Sequence, residues 1–155
     1  MSGMPGAMAS FGKYHVVRSI GKGGMGEVFL ARDLGLEREV AIKIVHPHLV
    51  TDATFVARFQ REARIVAQLR HANIVPLFEF DSSHRPPYMV MPFVKGDSLK
   101  TRLAQLRETG RTLPLPEAAR ILDGVAAGLD KAHERAIVHR DLKPANILLD
   151  RAGQP

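Results

Sequence analysis

No cysteine occurs among the 155 residues. That excludes a disulfide framework and any thiolate metal site, and it fits a reducing compartment. Nor does any apolar run approach the roughly 20 residues of a membrane-spanning helix. Residues 1–10 are small and read as a flexible tail, with neither the basic start nor the apolar core of a signal peptide. Charge of one sign is not gathered anywhere. The net charge is +6, but Lys and Arg are scattered through every predicted element, so neither a nucleic-acid stripe nor a lipid-binding face is expected. A solvated surface that also suits a polyanionic nucleotide is the simpler reading. The remaining composition, 45% hydrophobic and 25% charged, is that of a soluble globular chain long enough for one ordinary domain.

The densest chemistry lies in His139-Arg140-Asp141-Leu142-Lys143-Pro144-Ala145-Asn146. Ala136-Ile137-Val138 before it and Ile147-Leu148-Leu149 after it read as short strands, which would mount the polar cluster on an anchored loop. A carboxylate can accept a proton from an attacking hydroxyl, a lysine two residues on can neutralise phosphate charge, and an amide oxygen three further can ligate a hard cation. These residues also occur in ordinary solvated turns. The order resembles the catalytic loop of the eukaryotic-type protein kinases, H-R-D-x-x-x-x-N, and Lys143-Pro144 resembles the serine/threonine branch.

Upstream motifs stand in the order of that family. Strands are expected over Phe11 to Ile20 and Glu27 to Arg32, joined by Gly21-Lys22-Gly23-Gly24-Met25-Gly26. Glycine permits positive φ and close backbone approach to phosphate. In a dinucleotide-binding turn these glycines would open a helix; here Glu27-Val28-Phe29-Leu30 continues as a strand. The loop resembles the glycine-rich lid of bacterial serine/threonine kinases. The strand Val40-Ala41-Ile42-Lys43-Ile44-Val45 puts Ala41, Lys43 and Val45 on one face; it resembles the V-A-I-K strand, whose lysine reaches nucleotide phosphates. A helix is expected from Asp52 to Arg70, with Phe55, Phe59, Glu62, Val66 and Leu69 tracing one face. By pattern alone Glu62 reads as a boundary residue reaching water; the resemblance implies an ion pair with Lys43.

Two further strands, Ile74 to Phe80 and Tyr88 to Met91, complete the expected small lobe. The resemblance then puts Met91 at the gatekeeper and Pro92-Phe93-Val94 at the hinge, with base contacts on the Pro92 carbonyl and the Val94 amide. Gly96-Asp97-Ser98 opens a short helix over Leu99 to Arg107, Ser98 serving as cap or ribose contact. A longer helix follows from Glu117 to about Glu134, with Ile121, Leu122, Val125, Leu129 and Ala132 as its apolar face. Gly124 and Gly128 mark close packing against a neighbouring segment, because Asp123, Asp130 and Lys131 exclude a lipid-embedded pair. His46 and His48 have no third metal ligand in view and read as ordinary loop residues.

The implied fold is α+β and bilobal: a small lobe at 11–94, with five antiparallel strands and one helix, and a partial, mainly helical large lobe at 95–155. The implied function is ATP- and Mg2+-dependent phosphorylation of serine or threonine hydroxyls on protein substrates; a cytoplasmic location is expected, with a membrane anchor beyond residue 155 left open. Asp141, Lys143, Asn146, Lys43 and Glu62 would be catalytic, with Asn146 on the metal. The nucleotide would be held by Ile20, Gly21, Lys22, Gly23, Gly24, Met25, Gly26, Glu27, Val28, Ala41, Lys43, Met91, Pro92, Val94, Ser98 and Leu148. The resemblance is compatible with a regulatory dimer. The family pattern continues past Asp150 into a strand and an Asp-Phe-Gly, whose aspartate holds magnesium. Neither precedes Pro155, so these 155 residues are expected to be part of a catalytic domain, binding nucleotide weakly, transferring little phosphate, and leaving apolar helix faces uncovered. Two other readings stand beside this one: a non-catalytic kinase-like remnant that binds ATP or a protein, and an aminoglycoside-type phosphotransferase, which the Arg140–Asn146 string disfavours.

Overall fold

The computed structural model describes residues 10–155. The chain divides into two units: residues up to 68 with Pro76–Phe93, and Leu69–Val75 with Val94–Pro155. Residues 69–75, expected with the first unit, therefore cluster with the second. Of the expected tail only Ser10 is among the described residues, and it pairs with His15 in a strand.

The first unit is an antiparallel sheet. Its strands are β1 (Ser10–Phe11), β2 (Tyr14–Lys22), β3 (Gly26–Asp33), β4 (Arg38–Val45), β5 (Glu79–Asp81) and β6 (Tyr88–Pro92), in the order β1-β2-β3-β4-β6-β5. Six strands replace the expected five, because Gly12 takes φ 57° and breaks the first one in two. The stretch Ile74 to Phe80, expected as a strand, pairs only from Glu79, although the Phe78 amide already donates to the Val90 carbonyl at 2.8 Å. On one sheet face Val40, Ile42 and Ile44 pack with Phe11, Tyr14, Ala31, Tyr88 and Val90 as a buried core. Turn chemistry fixes the β3–β4 register: Asp33 Oδ1 accepts the Gly35 and Leu36 amides at 3.0 and 3.2 Å. Its buried Oδ2 has no hydrogen bond and lies 3.8 Å from Lys13 Nζ and 3.7 Å from Arg38 Nε.

Helix α1 spans Ala53–Val66. Asp52 caps it, accepting the Thr54 and Phe55 amides at 2.8 and 3.2 Å and so satisfying two of its orphan donors. It ends one turn before Arg70. Its buried face is Phe59 and Ala63, with Phe55 half-buried. The Phe59 ring meets Phe80 edge-on at 5.6 Å.

The second unit contains β7 (Gly96–Ser98), α2 (Leu99–Glu108), α3 (Leu115–His133) and β8 (Leu148–Asp150), with β7 and β8 antiparallel. At Gly96 a Cβ would lie 1.8 Å from the Leu149 carbonyl oxygen, so only glycine admits this ladder. Leu99, Ile121 and Leu149 form the core, with Leu113, Val125 and Ile147 against it. Arg102 grips Glu117 through two hydrogen bonds of 3.0 and 3.1 Å, tying α2 to α3. Leu122, expected on the buried face of α3, is 67% exposed. The glycine pair does receive a neighbour. A Cβ at Gly124 would meet Asn73 Nδ2 at 2.9 Å and Pro155 Cγ at 2.5 Å, and one at Gly128 would meet the Asn73 carbonyl at 3.0 Å.

Both helices stop by the same device. After α2, Gly110 takes φ 66°; its amide donates to the Arg107 carbonyl at 3.0 Å, and that of Arg111 to Leu106 at 2.8 Å. After α3, Ala136 takes φ 56°; its amide donates to His133 at 2.8 Å, and that of Ile137 to Ala132 at 3.0 Å. These are Schellman closures, with one residue in the left-handed region. Ala136-Ile137-Val138 is thus the exit from a helix and not the expected strand.

Candidate functional site

Residues opposite one another on antiparallel strands share a face. Lys43 on β4 lies opposite Val28 on β3 and Met89 on β6, and Ala41 lies opposite Leu30 and Met91. Val28, Leu30, Ala41, Lys43, Met89 and Met91 therefore line the sheet face away from the aliphatic core. Leu30 and Met89 are additions to the residues expected from sequence: Leu30 is the cross-strand partner of Ala41, and Met89 that of Lys43. Gly21 also pairs with Val28, while Ile20 falls in a register shift between Ser19 and Gly21, a bulge that breaks its pairing. Pro92 closes β6 opposite Val40.

The loop between β2 and β3 departs from the expected glycine logic. None of Gly21, Gly23, Gly24 and Gly26 has positive φ. Gly26 is required for a different reason: a Cβ there would sit 2.2 Å from the Ile44 carbonyl oxygen, so glycine lets β3 lie against β4. At Gly24 a Cβ would meet nothing within 4 Å. Glu27 accepts the Ser19 hydroxyl and lies 3.4 Å from Lys22 Nζ, bracing the base of the loop.

Lys43 is half-buried, and burial holds its pKa below the ordinary lysine range while the Glu62 charge pulls the other way. Glu62 is thus within electrostatic reach, yet no ion pair joins the two. The expected apolar stripe through Glu62 is corrected: the carboxylate is exposed, and the helix turns Ala63 inward in its place. At 3.6 residues per turn Glu62 points roughly 80° away from the mean direction of Phe59 and Ala63. Reaching water is cheaper than burying an unpaired carboxylate.

In the second unit, Ser98 Oγ accepts the Thr101 amide at 3.1 Å and so acts as the cap of α2. Val94 is half-buried, and Leu148 is exposed and pairs with Ser98. The polar loop is compact. Lys143 Nζ stands 2.9 Å from Asp141 Oδ2. Asn146, closing a 3-10 turn at Pro144–Asn146, donates from Nδ2 to the Asp141 carbonyl at 2.8 Å and to its Oδ2 at 3.1 Å. His139 Nδ1 accepts the Asp141 amide at 3.3 Å, and Arg140 sits at φ 62°. The hydrogen bond from Lys143, followed by that from Asn146, holds the Asp141 carboxyl below its usual range. Asp141, Lys143 and Asn146 are all exposed, so the group offers an ionised base beside a cation and an amide. With Nδ2 committed to Asp141, Asn146 Oδ1 is left as a hard oxygen donor. Among the described residues no group of three His, Cys, Asp or Glu is placed to hold a metal.

The chain resembles serine/threonine-protein kinase PrkC of Bacillus subtilis, 40% identical over 92% of this chain and 21% of that protein. It also resembles serine/threonine-protein kinase pkn2 of Myxococcus xanthus, 38% identical over 97% of this chain and 18% of that protein. It thus spans about a fifth of the length of these relatives. The crystal structure of the Mycobacterium tuberculosis PknI kinase domain superposes with a TM-score of 0.80 at 32% identity, covering 96% of this chain and 59% of that one. A sequence profile described as the protein kinase domain matches residues 14–155, and with that match the chain belongs to the protein kinase domain family.

Proposed function

We propose that this chain is the nucleotide-binding and catalytic-loop part of a serine/threonine protein kinase that transfers the γ-phosphoryl group of ATP to protein hydroxyls. The observation that carries this reading is the Asp141 carboxylate held by Lys143 and Asn146 within a loop of eight residues. Asp141 accepts the proton of the serine or threonine hydroxyl as the hydroxyl oxygen bonds to the γ-phosphorus and the bond from that phosphorus to the β–γ bridging oxygen breaks, so that ADP leaves. Lys143 offsets charge on the transferred group, and Lys43 on the α- and β-phosphates. Ala41 leaves room for the flat base, and the Pro92 carbonyl and Val94 amide receive its edge. Magnesium, where bound, neutralises phosphate charge. Asn146 Oδ1 fits one position of its oxygen shell, the rest being open to phosphate, water or a further carboxylate.

The test is phosphate transfer from labelled ATP to serine- and threonine-containing peptides by the protein purified from its own cells, beside its Asp141→Asn variant. Transfer that Asp141→Asn abolishes is the expected result. Transfer to aminoglycosides and not to peptides would refute the protein substrate, and undiminished transfer by Asp141→Asn would refute the base. The separation of Lys43 from Glu62 supports a second reading, a kinase-like binding module; ATP binding with no transfer to any hydroxyl would select it.

A further inference from the structure

The loop between β2 and β3 is tied down at three carbonyls. His46, the residue after β4, places its ring Nε2 2.8 Å from the Gly23 carbonyl oxygen and donates its backbone amide to the Met25 carbonyl at 3.1 Å. The Gly23 amide donates in turn to the Gly26 carbonyl at 2.9 Å. Since a carbonyl can only accept, Nε2 carries the proton; the neutral Nε2–H tautomer and the imidazolium both supply it. The ring is stacked on His48 at 5.5 Å and 17°, which holds its plane.

A trans peptide is planar, so its C=O and the following N–H point in opposite directions. The Gly23–Gly24 peptide is trans. Anchoring the Gly23 carbonyl on His46 therefore turns the Gly24 amide away from His46. No backbone carbonyl among the described residues receives the Gly24 or Met25 amide in a turn or loop bond, and the space beside Gly24 is open. With glycine on both sides, this peptide can otherwise flip at little steric cost. A flipped peptide would present a carbonyl oxygen to an arriving anion in place of an N–H.

We propose that His46 is a positioning residue: its ring latches the Gly23–Gly24 peptide so that the Gly24 amide is preset for a nucleotide phosphate. This rests on the nucleotide reading above. Dissociation constants for Mg·ATP and for adenosine are to be measured on the protein as its own cells make it, on His46→Phe, which keeps a ring but no donor, and on His46→Gln, which restores a donor. Loss of one hydrogen bond predicts ATP binding about two- to tenfold weaker in His46→Phe. Adenosine binding stays unchanged, and His46→Gln recovers most of the ATP affinity. If His46→Phe does not fold, His46→Ala takes its place with the same expected loss. Equal weakening for ATP and adenosine, or no weakening, overturns the latch while leaving nucleotide binding intact. An unaltered chain that binds neither ligand overturns the nucleotide reading instead. The latch is then judged by amide order parameters at Gly24 and Met25: a fall below about 0.6 in His46→Phe supports it, and no change refutes it.

Discussion

Ala136→Gly should make the chain more stable. Ala136 and Gly110 hold the same place in two Schellman closures, at φ 56° and 66°, but only Gly110 is free of the Cβ that disfavours this region. The left-handed conformation costs an L-residue about 1–2 kcal/mol, and glycine gives back about 0.4–1 kcal/mol through its more flexible unfolded state. Ala136 is exposed, so removing its methyl forfeits little packing. The net gain is about 0.5–1 kcal/mol. Gly110→Ala should lose a similar amount, because a Cβ there meets nothing within 4 Å and no clash adds to the conformational cost. Two amides report each closure locally: Ile137, bonded to Ala132, and Arg111, bonded to Leu106. Native-state hydrogen exchange should show Ile137 about two- to fivefold more protected in Ala136→Gly, and Arg111 less protected by a like factor in Gly110→Ala. Unchanged or weakened protection of Ile137 in Ala136→Gly would refute the reasoning, since it would mean that the backbone there carries no strain to relieve.

Gly24→Ala should leave the unfolding free energy, read from urea titration, within about 0.5 kcal/mol of the parent while weakening ATP binding, whereas Gly26→Ala should unfold the first unit, because its methyl meets a backbone carbonyl that cannot step aside. Phe59→Ala should cost about 3–5 kcal/mol, read by urea unfolding with far-ultraviolet circular dichroism, since Phe59 is 4% exposed and packs on Phe80. The folded-state pKa of Asp141 is depressed, so the stabilisation from Lys143 and Asn146 is present above the usual carboxylate value and is lost as pH falls through the depressed one. Carboxyl NMR should therefore show the Asp141 midpoint below the ordinary aspartate range and rising in Lys143→Met; a midpoint that does not move would remove Lys143 as the cause.

The order of motifs was legible because each rests on local rules. Alternation put Ala41 and Lys43 on one face of a strand, and the spacing of Asp141, Lys143 and Asn146 closes within a single turn of chain. Contacts that join distant positions were not legible. Periodicity places Glu62 on the apolar face of α1, because Phe55, Phe59, Glu62 and Val66 fit a helical period nearly as well as Phe55, Phe59 and Ala63 do. Ala63 is small, and its burial depends on which way the helix rolls against Phe80. Ala136-Ile137-Val138 carries β-branched side chains, and nothing in them announces that Ala136 ends a helix left-handed. The glycines between β2 and β3 were recognised, but Gly26 is fixed by the carbonyl of Ile44 and Gly23 by the ring of His46, neither of them a neighbour in sequence.

The pairing of β7 with β8 has a consequence for how the chain is made. Gly96 pairs with Asp150 and Ser98 with Leu148, so this short ladder joins positions about fifty residues apart and closes a loop holding α2, α3 and the candidate base. On a ribosome the first unit is fully synthesised, and α2 and α3 can already coil, while Asp150 is still inside the exit tunnel. During that interval Asp141 has no far anchor for its loop. The loop that bears Asp141 thus takes its shape only after the sheet that bears Ala41 and Lys43 is complete.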